Sequence, residues 1–364
     1  MIRAVVVDDE APARARLRAL LEEIGGVAVV GEAGDADAAR AAVSALCPDV
    51  VFLDIEMPAE RGTELAASLP EPRPFIVFAT AYERFAVDAF QVEAADYLLK
   101  PVNRQRLQAT LGRMRDKLDG RRAAERELAA ATRAQAHLLP QSLPELPGYV
   151  LAARTLAARG VGGDFYDAVL AGDHLAFVLG DVAGKGMAAG LIASSVQARW
   201  QAALHQRDLT LTGMMAALNQ DVFRSTEGSR YATLVHGVLS PATGRLRYVN
   251  AGHPPSLIVA ADGLWRAALA ATAPAIGLFE GATFPAADVA LAPGDTLIVV
   301  SDGVSEALDP QGCEFDLGGV AGLVAEGAGD AVTLPAAVVE AVCRHRGADQ
   351  AQDDVTVLSL WRRP

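Results

Sequence analysis

The chain has 364 residues, about half of them hydrophobic and a fifth charged, with a net charge of −13. That is enough apolar material for two or three packed domains and argues against global disorder, and the acidic balance argues against binding nucleic acid through its phosphates. Cys47, Cys313 and Cys343 form no CxxC pair, no apolar run approaches the ~18 residues of a membrane span, and MIRAVVVDDE is no signal peptide. A reduced, cytoplasmic protein with no membrane or nucleic-acid partner is expected.

From Ile2 to about Val102, the apolar runs RAVVVDD, VAVVGEA, DVVFLD, PFIVFAT and ADYLLK alternate with the helix-like segments APARARLRALLEEI, DADAARAAVSAL and RGTELAASL. Continuous apolar strands interleaved with helices predict a doubly wound, parallel, five-stranded α/β sheet covered on both faces. Residues 103–140 then read as a helical linker overlapping the last helix of this domain. Leu107, Leu111, Met114 and Leu118 recur at spacings of four, three and four, a coiled-coil-like stripe that suits a dimerising helix. The stretch carries nine Lys/Arg against four acids, most simply a solvated helix face. Pro140, Pro144 and Pro147 end it. Beyond Tyr149, alternating strands such as YATLVHGVLS and DTLIVVSDG, with helices near 188–206, 210–224 and 332–346, predict an α+β β-sandwich flanked by helices.

In a doubly wound sheet, chemistry collects at the carboxyl ends of the strands. Asp8 and Asp9 end the first strand, Asp54 the third, Thr80 the fourth and Lys100 the fifth. Clustered carboxylates repel one another unless a cation joins them, and oxygen ligands favour Mg²⁺. VVVDDE, VVFLDIEMP, FATAY and ADYLLKP resemble the receiver domain of two-component response regulators, over residues 1–118. The resemblance implies Asp54 as phosphoacceptor from a sensor histidine kinase. It also implies Mg²⁺ held by Asp9, Asp54 and the Glu56 carbonyl with Asp8 assisting, a switch pair Thr80 and Tyr97, and Lys100 as the phosphate-sensing lysine.

The second half repeats acids beside glycine turns and strand ends. GGDFYD carries Asp164 and Asp167, GDVAGKG carries Asp181, VVSDGVSEA carries Asp302 and Glu306, and QDDVTVL carries Asp353 and Asp354. Gly180 to Lys185 is too short for a P-loop, and Gly186 follows the lysine where Ser or Thr is needed. With no His/Cys metal spacing, an oxygen-rich centre for two Mg²⁺ or Mn²⁺ is the expectation, and such a pair suits displacement at phosphorus. These segments, with YATLVHGVL, YVNAGHPP and APGDTLIVVSDGVSEA, resemble the PPM-type serine/threonine phosphatases, more narrowly the SpoIIE-like group. The resemblance covers about 140–362, and the domain is placed at 145–364. It implies that Asp181 bridges both ions, the Val182 carbonyl completes the first site, Asp302 and Asp353 bind the second ion, and Asp164 holds the attacking water. Asp354 is a possible helper, and Arg159 a candidate for gripping the substrate phosphate. Asn250 and His253 read as structural, and Cys313 departs from the family's usual glycine-bearing turn.

Joined, the halves predict a response regulator in which phosphorylation at Asp54 controls a metal-dependent phosphatase through the linker. Resemblance implies a phosphorylated STAS-type anti-sigma-factor antagonist as substrate, and the leucine stripe suggests a homodimer through the linker helix. A catalytically silent module that sequesters a signalling partner is the alternative. A DNA-binding output would require a basic recognition helix, which the second half does not offer.

Overall fold

Strand β1 (Ile2–Val7) is buried at every position but Arg3, because helices cover both faces of the sheet it centres. β2 (Val27–Ala33), β3 (Val50–Leu53), β4 (Phe75–Thr80) and β5 (Asp96–Leu99) complete a parallel sheet in the order β2-β1-β3-β4-β5. Alternate side chains serve opposite cores. Val5, Val7, Val51 and Leu53 pack against α2 (Ala36–Leu46) and α3 (Gly62–Ser68). Ala4, Val6 and Phe52 pack against α1 (Ala11–Ile24) and the start of α4 (Arg104–Leu138). The strand order reverses at β1, which opens a crevice at the carboxyl ends of β1 and β3. The structure, a computed structural model, describes residues 1–364 except 71, 82–93, 159, 206–209, 261–262, 326–331 and 348–352. Its contacts divide into two units, Met1–Arg126 and Glu127–Pro364.

The leucine stripe is corrected by this packing. Leu107, Leu111, Met114 and Leu118 are all buried in the core of the first unit, against β1, β3 and α1. A spacing of four and three marks a helix face that must be covered but does not say by what; here the sheet covers it, so the stripe is not a seam between chains. Several basic residues of the helix are likewise engaged. Arg106 and Arg113 both reach Asp96, whose carboxylate also accepts a hydrogen bond from Thr110, and Arg122 meets Asp49 at 2.9 Å.

The second unit stacks two five-stranded antiparallel sheets. One runs β13-β10-β9-β8-β7, from Ala287–Ala290, Arg245–Ala251, Ala232–Ser240, His174–Val182 and Phe165–Ala171. The other runs β12-β11-β14-β15-β6, from Trp265–Leu269, Ser256–Val259, Thr296–Val300, Val355–Arg362 and Tyr149–Leu156. Phe177 and Leu179 of β8 point into the layer between the sheets, with Val235, Ile258, Leu297, Val299 and Leu358. Their neighbours Ala176 and Val178 point outward beneath α5 (Met187–Leu204) and α6 (Leu211–Thr226), where Trp200, Met215 and Leu218 cover them. The second sheet is covered in the same way by α8 (Asp316–Ala325) and α9 (Leu334–Arg346) through Val320, Val338 and Val342. Burial on both faces explains why HLAFVL reads as an unbroken apolar run rather than an alternating one. Fully burying each such side chain contributes ~1.5–3 kcal/mol.

Candidate functional site

In the first unit the strand ends meet as the pattern predicted. Asp8 and Asp54 are buried, Asp9 is exposed, and the three offer carboxylate oxygens within 4.8 Å of one another. Lys100 Nζ lies 2.5 Å from Asp54 Oδ2 and 2.6 Å from Asp8 Oδ2. Burial pushes the Asp54 carboxyl up, and the Lys100 ammonium opposes that shift. The Glu56 N–H donates to Asp54 Oδ1 at 3.2 Å. The Thr80 hydroxyl at the end of β4 is buried without a hydrogen-bond partner, while Lys100 N–H donates to the Thr80 carbonyl. Tyr97 sits half-buried on β5, paired with Phe78. An orphaned hydroxyl beside three converging carboxylates and an ammonium suits a hard cation together with an oxyanion.

In the second unit the acids come from four segments. Asp181 lies near the end of β8 opposite Thr233 of β9, and Asp164 immediately precedes β7. Asp302 opens the short helix α7 (Asp302–Ser305), and Asp353 lies in the loop before β15. Glycines permit the approach: a Cβ on Gly163 would stand 2.7 Å from the Val182 carbonyl and 2.8 Å from Asp181 Oδ1, closer than side-chain carbons come. Burial, then the charges of Asp302, Asp353 and Asp354, push the Asp181 carboxyl up to about 7. Asp164 is buried, and its carboxyl is raised well above the carboxylate range by burial and by Asp181, although the Thr356 and Ser301 hydroxyls relieve it. Its Oδ2 is buried without a partner. Burial and Asp353 raise Asp302. Three raised carboxyls among converging acids, with one orphaned oxygen, fit divalent cations, which would remove the repulsion. Among the described residues, however, no three of these acids offer oxygens within 4.8 Å of one another, unlike the receiver triad.

Several neighbours were not legible as site residues. Asp354, a helper at best in the sequence, has both carboxylate oxygens engaged by backbone: Oδ1 accepts from Ala158 N–H and Oδ2 from Gly163 N–H, each at 2.8 Å. It fastens the GGDFYD segment, whereas Asp353 accepts from Asp354 N–H at 3.1 Å and pairs with Lys185 at 3.0 Å. Arg346, buried in the last turn of α9, donates to the Gly303 carbonyl at 2.6 Å and reaches the Asp353 carbonyl at 3.5 Å, tying the Asp302 turn to the Asp353 loop. Gln135, near the end of α4, bonds both the N–H and the carbonyl of Gly162. Only contact geometry could have singled these out. Arg159 lies outside the described residues. Asn250 accepts from His253 N–H and donates to the Leu269 carbonyl, closing a turn. Cys313 is exposed, and its N–H donates to Asp309, in a turn whose Asp309 and Gly312 line one cleft with Asp302 and Asp353.

The family profile described as "Stage II sporulation protein E (SpoIIE)" matches residues 171–363, and that of the response regulator receiver domain matches residues 4–112. An uncharacterized response regulatory protein of Yersinia pestis is 52% identical over 115 residues, 31% of this chain and 48% of that protein. Transcriptional regulatory protein BtsR of Escherichia coli K12 is 48% identical over 116 residues, 32% of this chain and 48% of that protein. The chain thus spans about half the length of the curated relatives it matches. Among solved structures, the RsbU and RsbW domains of Rv1364c from Mycobacterium tuberculosis are 30% identical with a TM-score of 0.51, covering 62% of this chain and 63% of that one. The SiaA-PP2C domain of Pseudomonas aeruginosa, at 21% identity, shares the fold with a TM-score of 0.57, covering 67% of this chain and 99% of that one. No helix among the described residues is long and apolar enough to cross a membrane. With a parallel receiver sheet followed by a PP2C-like pair of antiparallel sheets, and with more than half its length matched by the profile, this chain belongs to the SpoIIE family, as a response regulator whose receiver domain is fused to a PPM-type phosphatase domain.

Proposed function

We propose that the chain is a metal-dependent protein serine/threonine phosphatase under phosphorylation control. The observation that carries this reading is the convergence of Asp164, Asp181 and Asp302, acids far apart in sequence whose carboxyls are raised by burial and by neighbouring acids, Asp353 among them. Asp181 and the Val182 carbonyl would hold a first Mg²⁺ or Mn²⁺, and Asp181, Asp302 and Asp353 a second. Bound there, two such cations supply a nucleophile at neutral pH and stabilise charge on the phosphoryl oxygens. Asp164 orients the attacking water through its unpartnered oxygen, Asp354 and Arg346 hold the loops in place, and Arg159 is the proposed grip on the substrate phosphate.

In the receiver, Asp54 is the proposed phosphoacceptor from a histidine kinase, with Mg²⁺ on Asp8, Asp9, Asp54 and the Glu56 carbonyl. Lys100 and Thr80 would bind the phosphoryl oxygens, with Tyr97 following Thr80. The signal would pass along α4 to the segment around Asp164, where a coupling of ~1–3 kcal/mol gives a 5–150-fold change in activity. The proposed substrate is a phosphorylated STAS-type anti-sigma-factor antagonist. A homodimer through the linker would use the outer part of α4, where Leu128 is exposed, since the inner stripe is already covered.

The wider spacing of the phosphatase acids, compared with the receiver triad, favours one second reading, a silent module that binds a phosphoprotein without hydrolysing it. Mn²⁺-dependent hydrolysis of p-nitrophenyl phosphate separates the two. Activity lost in Asp181→Ala supports the phosphatase, whereas an inert wild type in every phosphorylation state supports the silent module.

A further inference from the structure

The turn between β8 and α5 carries one cation that the hydrolytic reading leaves without a task. Lys185 stands between Gly184 at φ 105° and Gly186 at φ 75°, two backbone conformations that disfavour side chains. The turn therefore presents a lysine flanked by bare backbone. Its Nζ lies 3.0 Å from Asp353 Oδ2, with the two side chains 48% and 44% exposed. Lys185, Asp302 and Asp353 line one cleft. Lys185 thus places its charge beside the pair of acids assigned to the second ion. Arg346, which lines the same cleft of about 450 Å³, cannot serve in its place, because its guanidinium is buried against the Gly303 and Asp353 carbonyls.

We infer that Lys185 is a tethered counter-cation of the second metal position. The inference rests on the two-ion reading above. The lysine holds Asp353 while the position lacks an ion and must release it when a divalent cation arrives, since an ammonium and a dication on one carboxylate repel. The second ion is therefore bound more weakly than its carboxylates alone would allow, and occupancy of that position depends on displacing a side chain. A four-carbon stem anchored between two glycines has the freedom to swing away.

The test is a titration of the full chain with Mn²⁺, following the free ion by its paramagnetic resonance signal, in an Asp9→Asn background that removes the receiver's ion. Lys185→Met should tighten the weaker binding step roughly two- to fivefold, the scale of an exposed ion pair, and leave the tighter step unchanged. Lys185→Arg should restore the wild-type value. A weaker step unchanged or loosened in Lys185→Met overturns the inference, and Lys185→Gln repeats the measurement should the first variant fail to fold. Failure of the two-ion reading looks different: wild type and Lys185→Met would both lack a second ion, and Asp353→Asn would alter nothing.

Discussion

The Gln135 side-chain amide holds both the N–H and the carbonyl of Gly162. Gly162 N–H donates to Gln135 Oε1 at 3.0 Å, and Gln135 Nε2 donates to the Gly162 carbonyl at 2.7 Å. Gly162 stands two residues before Asp164, and its neighbour Gly163 donates to Asp354. One turn further along α4, the Leu138 carbonyl accepts from Gln197 of α5, which also bonds Asp167. The end of the linker helix is thereby joined by hydrogen bonds to the segment that carries Asp164.

Gln135→Ala removes the partners of both the N–H and the carbonyl of Gly162. Each neutral hydrogen bond contributes ~0.5–1.5 kcal/mol, so amide exchange across residues 160–165 should rise about tenfold in the variant. Mn²⁺-dependent hydrolysis should fall with it, while the fold stays intact. Exchange equal to wild type would show that the clamp does not order the segment.

Asp181→Asn should separate function from stability. This half-buried acid faces the charges of Asp302, Asp353 and Asp354, and without cations that repulsion opposes folding. The neutral amide should raise the melting temperature of the metal-free protein by a few degrees while reducing hydrolysis to background. A lower melting temperature without metal would mean that the carboxylates are not in repulsive contact.

Asp54→Ala should abolish labelling by a small phosphodonor such as acetyl phosphate. Asp54 is the buried carboxylate nearest Lys100 Nζ, at 2.5 Å, and Asp9 is exposed. Equal labelling of wild type and variant, read by intact mass, would remove the receiver assignment.

What the sequence disclosed and what it hid follow one physical division. Strands buried on both faces announce themselves as apolar runs, and acids at their ends announce themselves by position, so the sheets and the Asp8, Asp54, Asp181 and Asp302 positions were readable. Which surface covers a helix is a tertiary fact that no spacing encodes, which is why Leu107 to Leu118 suggested a second chain. Gln135, Asp354 and Arg346 act through bonds to backbone carbonyls and amides, and peptide groups are the same at every position, so no pattern marks their partners.

Leu111→Ala tests that correction. A core truncation of this kind costs ~2–5 kcal/mol, and it should appear in the unfolding transition of the receiver unit measured by denaturant. The oligomeric state by light scattering should not move. A loss of dimer with unchanged receiver stability would return the stripe to the role of a seam.

His236 predicts the acid limit of the phosphatase domain. It is buried in β9, where Nδ1 lies 3.0 Å from the Phe177 carbonyl and 3.2 Å from Trp200 Nε1. Burial lowers its pKa to about 4, and burial lowers that of His253 likewise to about 4. The folded state therefore refuses protons that the unfolded chain accepts from about pH 6.5 downward. Between pH 6.5 and 4 the unfolded state binds more protons, so stability falls as pH drops through this window and is level, as far as these groups are concerned, above it. The contribution of His236 is on the order of 2–3 kcal/mol across the window. His236→Gln should lower stability at pH 7, through lost packing under Trp200, yet remove about half of the histidine-linked decline between pH 6.5 and 4, with His253 supplying the rest. Denaturant midpoints at half-unit pH steps read this out, and a variant whose slope matches wild type would show that His236 is already protonated in the folded protein.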